Sequence, residues 1–260
     1  MTDPTTFERD ANGVRRFTLA RADAMNALNR ATVDAMKQAA ANLGGDPDAR
    51  VVIFGALGDR AFCAGADLKE RAGMNEDEVA DAVSRISEAM QAVAAIPVPT
   101  IAAINGAAFG GGFELALACD IRIASSSAPL GLTETTLAII PGGGGTQRLP
   151  RIAGVARAKE LIFTGRRISA AEALQYRIVH EVVAPEELRT RVDAIARVIS
   201  ANGPIAVRAA KEAIVRGMEM PLEQAIALEH ELYLRTIPTK DRLEGLEAFR
   251  EKRPPVYRGE

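Results

Sequence analysis

The chain contains no tryptophan, and aromatic residues make up only 4% of its 260 positions. Stacking platforms for single-stranded nucleic acid are therefore scarce. An excess of either charge is lacking as well: 32 lysines and arginines face 34 aspartates and glutamates, for a net charge of -2. A chain so balanced has no electrostatic footprint for a polyanion, and no nucleic-acid partner is expected. Cysteine occurs only twice, as Cys63 and Cys119, without CxxC spacing. That spacing argues against a zinc site or a redox pair, and no metal is expected. A disulfide staple is not expected in a chain with this much core material.

Long hydrophobic runs are missing too. The richest stretch, Ile96 to Ala124, is broken by Pro97, Pro99, Asn105, Glu114 and Asp120, short of the roughly 18 unbroken apolar residues a membrane helix requires. The N-terminal Met1 to Ala11 is polar and acidic, unlike a signal or transit peptide. A soluble, cytoplasmic protein with no membrane partner is the expectation. Neither GxxxxGK[ST], GxGxxG, GxSxG nor HExxH is found. The two histidines, His180 in an expected strand and His230 among helical glutamates, suit a catalytic triad poorly.

What is present is a globular composition, 48% hydrophobic and 25% charged. The length fits one large domain, or one with a small appendage. Val14 to Leu19, after the turn pair Asn12-Gly13, reads as a strand hairpinned with Phe7 to Arg9. Arg50 to Ala56, Pro97 to Ile104 and Cys119 to Ala124 read as buried strands, the first apolar enough to be covered on both faces. Helices are expected over Asn26 to Leu43 and over Asn75 to Ala95, the latter N-capped by Asn75. This alternation predicts an α/β fold with layered crossover units. Beyond about Pro185 only helices are expected: Glu186–Ser200, Pro204–Gly217, Pro221–Leu234 and Thr239–Lys252. Four such apolar faces cannot easily be buried within one chain, so they are expected to pack on the core or on other subunits. The division falls at residues 1–195 for the core and 196–260 for the helical region. No internal repeat is visible.

Three segments rich in glycine and small residues follow strands: Ala61 to Lys69, Asn105 to Leu115, and Gly131 to Thr146. Glycine lets the backbone approach a ligand closely, and free N–H groups at a helix start can hold an oxygen that becomes anionic. Glu114 lies within the apolar stretch GGGFELALACD, where a carboxyl is costly without a partner or a task. Glu134 occupies a similar island between Leu132 and Leu137. A buried ion pair would explain Glu114 and a helix cap would explain Glu134; equally, two carboxyls in one apolar pocket suit acid–base chemistry.

Taken together, FCAGADLKER, INGAAFGGGFELALACDIRIA, LTETTLAIIPGGGGTQRLPR and AKELIFTGR resemble the enoyl-CoA hydratase/isomerase (crotonase) superfamily, across essentially the whole chain. The resemblance implies a crotonase-like spiral of ββα units with a C-terminal helical trimerisation region, as a homo-oligomer, either a trimer or a dimer of trimers. It implies an acyl-CoA thioester substrate with no separate cofactor, coenzyme A being part of the substrate. Carried over by position, the Ala66 and Gly111 N–H groups would form the oxyanion hole. Glu114 and Glu134 would be the catalytic pair, and retention of both favours hydration over double-bond shift. The coenzyme would touch Arg21, Ala24, Ala64, Asp67, Leu68 and Lys69, with Phe249 and Lys252 supplied by a neighbouring subunit. The segments AGADLKERA and TIPTKDRLEGLEAFREKRPPVYRGE resemble members whose acyl group ends in a carboxylate. Lys69, Arg71 and Arg148 are the cations near enough in sequence to read one. A short-chain hydratase is the alternative within the family. An RNA-binding protein on this fold is the alternative outside it, but Arg30, Asp34 and Gln38 form no basic ladder on the first helix. A non-catalytic scaffold is disfavoured by the two intact glutamates.

Overall fold

Val51–Ala56 is apolar at nearly every position because both of its faces are covered. Val51 and Ile53 pack with Val14, Ile101 and Ile123 against one layer, while Val52 and Phe54 point into the opposite, larger core. The computed structural model describes residues 3–260; Met1 and Thr2, the start of the polar N-terminal stretch, lie outside the described residues.

Strand β1 (Thr5–Arg9) runs antiparallel to β2 (Val14–Leu19). Asp10 closes their turn by accepting from the backbone N–H groups of Asn12 and Val14. Then β3 (Val51–Ala56), β5 (Thr100–Ile104), β7 (Ile121–Ser125) and β9 (Glu181–Val183) add in parallel, giving the order β1-β2-β3-β5-β7-β9. A second, smaller parallel sheet is made by β4 (Ala61–Cys63), β6 (Ala107–Phe109) and β8 (Leu130–Gly131).

Helices fill the returns: α1 (Arg30–Gly44), the one-turn α2 (Leu68–Arg71), α3 (Glu76–Ala94), α4 (Gly111–Ala118) and α5 (Gly145–Ala153). The chain therefore repeats a step three times: a strand in the large sheet, a short strand in the small sheet, then a helix. Those steps are β3-β4-α3, β5-β6-α4 and β7-β8-α5. Sequence reading finds no repeat because the small-sheet strands hold two or three residues each and carry no periodicity. They lie inside the segments that read as glycine-rich loops.

Other boundaries shift for local reasons. The first helix begins at Arg30 rather than Asn26, with Asn29 as its N-cap, because Met25 and Asn26 are left-handed at φ 54 and 55. Asn26 is buried and its amide donates to the carbonyls of Leu57 and Ala61. Asn75 caps α3 as expected, in a capping box with Glu78. His180 falls just before β9, and its Nδ1 accepts from the Arg122 N–H.

After α6 (Val155–Thr164) and α7 (Ala170–Gln175), α8 (Leu188–Ser200) lays Leu188, Val192 and Ala196 on the outer face of the large sheet. The division expected at residue 195 falls inside this helix. Helices α9 (Pro204–Gly217), α10 (Leu222–Thr236) and α11 (Lys240–Glu251) follow. They leave Ile214, Met218, Leu222, Ile226, Tyr233, Leu246 and Phe249 exposed. No helix among the described residues is long and apolar enough to cross a membrane.

Candidate active site

The loop after β4 is fixed by backbone bonds on both sides of Ala66. Leu28 N–H donates to Gly65 O at 2.8 Å, Asp67 N–H to Leu28 O at 3.0 Å, and Ala64 N–H to Met25 O at 3.0 Å. The Ala66 N–H itself has no protein acceptor among the described residues. Asp67 caps α2 by accepting from the N–H groups of Lys69 and Glu70. It also takes Arg21 Nη2 at 2.8 Å, while Arg21 Nη1 donates to Ala27 O at 2.7 Å. Burial alone would raise the Asp67 carboxyl; the guanidinium and the two backbone donors outweigh it and hold the group below its ordinary range.

The loop after β6 arrives beside this one. Gly112 is required there: a Cβ on it would stand 2.1 Å from Cys63 O. A Cβ on Gly111 would stand 3.8 Å from the Ala66 nitrogen, so the first N–H of α4 lies next to the Ala66 N–H. Gly111 opens its helix and so has no intrahelical acceptor. Two unengaged N–H groups from different loops, one of them at a helix N-terminus, form a preorganised pocket for a developing oxyanion.

One turn along α4 comes Glu114, only 2% exposed. Its Oε1 accepts two backbone bonds at 2.8 Å, from the N–H groups of Gly143 and Gly145. The glycine run serves this contact, since a Cβ on Gly143 would press within 2.6 Å of Glu114 Oε2. Arg148 holds the loop in place: Nη1 donates to Gly143 O at 2.8 Å and Nη2 to Met90 O at 3.5 Å. Burial raises the Glu114 pKa above its ordinary 4.5, while Gly145, Gly143 and the Arg148 charge pull it back. Among the described residues no cation is in ion-pair contact with Glu114, so the buried-pair explanation does not hold.

Glu134 begins the single 3-10 turn Glu134–Leu137 after β8 and makes no side-chain cap. Its Oε1 sits 3.2 Å from where a Cβ on Gly110 would be. Its Oε2 is buried with no hydrogen-bond partner among the described residues. Burial, with the Glu114 charge added, pushes this carboxyl up to about 7. Thr135 anchors the turn by donating to Ile162 O at 2.7 Å.

The structure thus brings Ala66, Gly111, Glu114 and Glu134 together. Ala64, Asp67 and Leu68 border the same loop, and Lys69 is exposed just beyond it. Arg21 and Ala24 line a groove of about 440 Å³ with Asp23 and Asn29. The Arg21 guanidinium, however, is bonded to Ala27 O and Asp67 and braces the loop after β4. Phe249, 87% exposed on α11, and Lys252 just after it line none of these cavities. Sequence reading missed the N–H donors of Gly143 and Gly145 and the clamp by Arg148; the signal for all three was PGGGGTQR, whose partner could not be named. The surface of α1 and α3 carries alternating charge, with Asp34 between Arg30 at 4.0 Å and Arg85 at 3.6 Å.

Known proteins resemble this chain over nearly its whole length. The sequence model of the enoyl-CoA hydratase/isomerase family matches residues 9–260. Human mitochondrial methylglutaconyl-CoA hydratase is 48% identical over 259 residues, spanning 98% of this chain and 76% of that one. Mouse enoyl-CoA hydratase domain-containing protein 2 is 50% identical over 251 residues, spanning 95% of this chain and 85% of that one. A solved enoyl-CoA hydratase from Bacillus anthracis superposes with a TM-score of 0.97 at 53% identity, covering 99% of this chain and all of that one.

Proposed function

Since the chain belongs to the enoyl-CoA hydratase/isomerase family and has the crotonase fold, we propose that it adds water reversibly across the 2,3-double bond of an enoyl-CoA thioester, with 3-methylglutaconyl-CoA as the preferred substrate. One observation carries the hydratase reading: a buried glutamate held by two loop N–H groups, Glu114, and a half-buried one with an unpartnered oxygen among the described residues, Glu134, lie by the adjacent N–H groups of Ala66 and Gly111.

Those two donors polarise the thioester carbonyl, so that negative charge can collect on its oxygen as an enolate. A well-aimed donor of this kind lowers a barrier by about 3–4 kcal/mol. Glu114, ionised, takes a proton from the water whose oxygen bonds to C3. Glu134, protonated, gives its proton to C2 as the enolate collapses. One proton enters the pair and one leaves it, and the reverse path uses the same groups. Such acid–base assistance contributes about 10²–10⁴-fold. The scheme needs no metal and no redox group.

The acyl assignment is supported by the likeness to methylglutaconyl-CoA hydratase and by the segments AGADLKERA and TIPTKDRLEGLEAFREKRPPVYRGE. Exposed apolar side chains on α9, α10 and α11 are assigned to subunit contacts in a trimer or dimer of trimers, since patches of that kind on a lone chain mark interaction surfaces. Phe249 and Lys252 would then reach a neighbour's coenzyme. The test follows loss of enoyl-thioester absorbance with purified protein, comparing 3-methylglutaconyl-CoA with crotonyl-CoA. Turnover favouring the former and abolished by Glu114→Ala or Glu134→Ala is expected. Preference for crotonyl-CoA would overturn the acyl assignment, and turnover of neither would overturn the reaction.

A further inference from the structure

A cavity of about 310 Å³ opens between the start of α1, the one-turn α2 and α3. Leu28 joins it to the candidate oxyanion pocket: its Cδ1 stands 3.2 Å from the Cβ position of Gly111, and the same side chain lines the cavity wall. Val33, Met74 and Ile86 make the wall apolar beyond that point. A thioester carbonyl seated on Ala66 and Gly111 would therefore send its acyl chain past Leu28 into this space.

The polar groups around the rim are mostly spent. Glu70 accepts from the Arg30 N–H at 3.0 Å, Glu78 accepts from the Asn75 N–H at 2.8 Å, and Asp81 pairs with Arg85 at 2.6 Å. Arg85 is held by Asp34 as well. Asp77 is exposed on the first turn of α3. Among the cations on the wall, Arg30 is exposed with Asp34 at 4.0 Å, and Arg71 is the half-buried one without a partner among the described residues. It lines the cavity, is half-buried, and its guanidinium meets no carboxylate and no carbonyl acceptor among the described residues. The other cations close in sequence do not compete for this place. Lys69 is exposed and outside the cavity wall, and Arg148 is bound to Gly143 O and Met90 O.

We propose that Arg71 is a specificity-determining residue that selects acyl-CoA thioesters whose acyl group ends in a carboxylate. The proposal rests on the placement of the thioester given above. A guanidinium offers a carboxylate two parallel hydrogen bonds, and in a partly desolvated pocket such a contact discriminates against a neutral methyl end. Binding is read with saturated thioesters, which cannot be hydrated, so the result does not depend on turnover. The intact protein is titrated calorimetrically with glutaryl-CoA and with pentanoyl-CoA, which have acyl chains of equal carbon number. Glutaryl-CoA is expected to bind about 10- to 100-fold more tightly, the span of one charged hydrogen-bonded contact. In Arg71→Met that ratio should fall to one or below, and Arg71→Lys should keep part of it. Because each variant is judged on the ratio of two ligands, a general loss of fold or affinity cannot mimic the result. Equal affinity in the unmutated protein, or a preference that persists in Arg71→Met, would overturn the role. Failure of the hydratase reading would appear separately, as absent turnover in the absorbance assay.

Discussion

The loop that holds Glu114 and the turn that carries Glu134 treat the same functional group in opposite ways. The 143–145 loop offers Glu114 two N–H donors on one oxygen, with the Arg148 charge behind them. Donors of that kind favour the ionised form and offset much of the cost of burying it. The 134–137 turn gives Glu134 only its own backbone N–H: Oε2 is buried with no partner among the described residues, and burial pushes the carboxyl up to about 7. In the proposed mechanism this difference in backbone surroundings makes Glu114 the base and Glu134 the acid. The glycine run matters as much as the carboxylates in that mechanism, because its N–H groups hold Glu114.

The largest effect should come from removing either member of this pair. Glu114→Gln and Glu134→Gln should each lower kcat by about 10²–10⁴-fold, the span of lost acid–base assistance. Steady-state hydration assays read the loss, and a loss confined to one variant would break the comparison. Next in size is Arg148→Met. Without its bonds to Gly143 O and Met90 O the loop loses its hold on Glu114, and kcat should drop about 10- to 100-fold, as expected for charged hydrogen bonds. Removing the cation also raises the Glu114 pKa further, so the acid limb of the pH–rate profile should move to higher pH. A purely structural role would leave that limb in place.

The pH profile itself sharpens the contrast. Forward and reverse reactions both need the pair to hold one proton, so kcat/KM should be bell-shaped and alike in both directions. Its alkaline limb should lie near the value of about 7 set by Glu134. The smallest effect is on stability. Glu134 is raised from 4.5 to about 7 on folding, so its contribution is present below the lower value and lost as pH rises through the upper one. Glu134→Gln should therefore be more stable than the parent at pH 8, by about 1–2 kcal/mol after allowing for partial exposure. At pH 4 the difference should vanish. Denaturant midpoints at the two pH values measure this.

Much of the large sheet was legible in the sequence. Its central strands β3 and β5 are continuous apolar runs, and Asn75 marked the start of its helix as an N-cap. Glu114 stood out because a carboxyl in an apolar helix is costly. The small sheet was not legible: Ala61–Cys63 and Leu130–Gly131 are too short to show alternation. Nor was the beginning of α1, where left-handed Met25 and Asn26 break an otherwise helical pattern. Side chains bonded to distant carbonyls were also hidden. Arg148 reaches Met90 O, and Arg21 reaches Ala27 O and Asp67, and residue type alone carries no trace of such partners. Arg21, which reads from sequence as a cation near the coenzyme, is found bonded to Ala27 O and Asp67 beside the loop after β4.

Carbon-13 NMR of glutamate side-chain carboxyls, titrated with pH in the unmutated protein and in Glu134→Gln, tests the division between acid and base most directly. One carboxyl resonance with a midpoint near 7 is expected, and it should disappear in Glu134→Gln. If every glutamate carboxyl instead titrated below pH 5, the two environments would be equivalent and the assignment of acid and base would be contradicted.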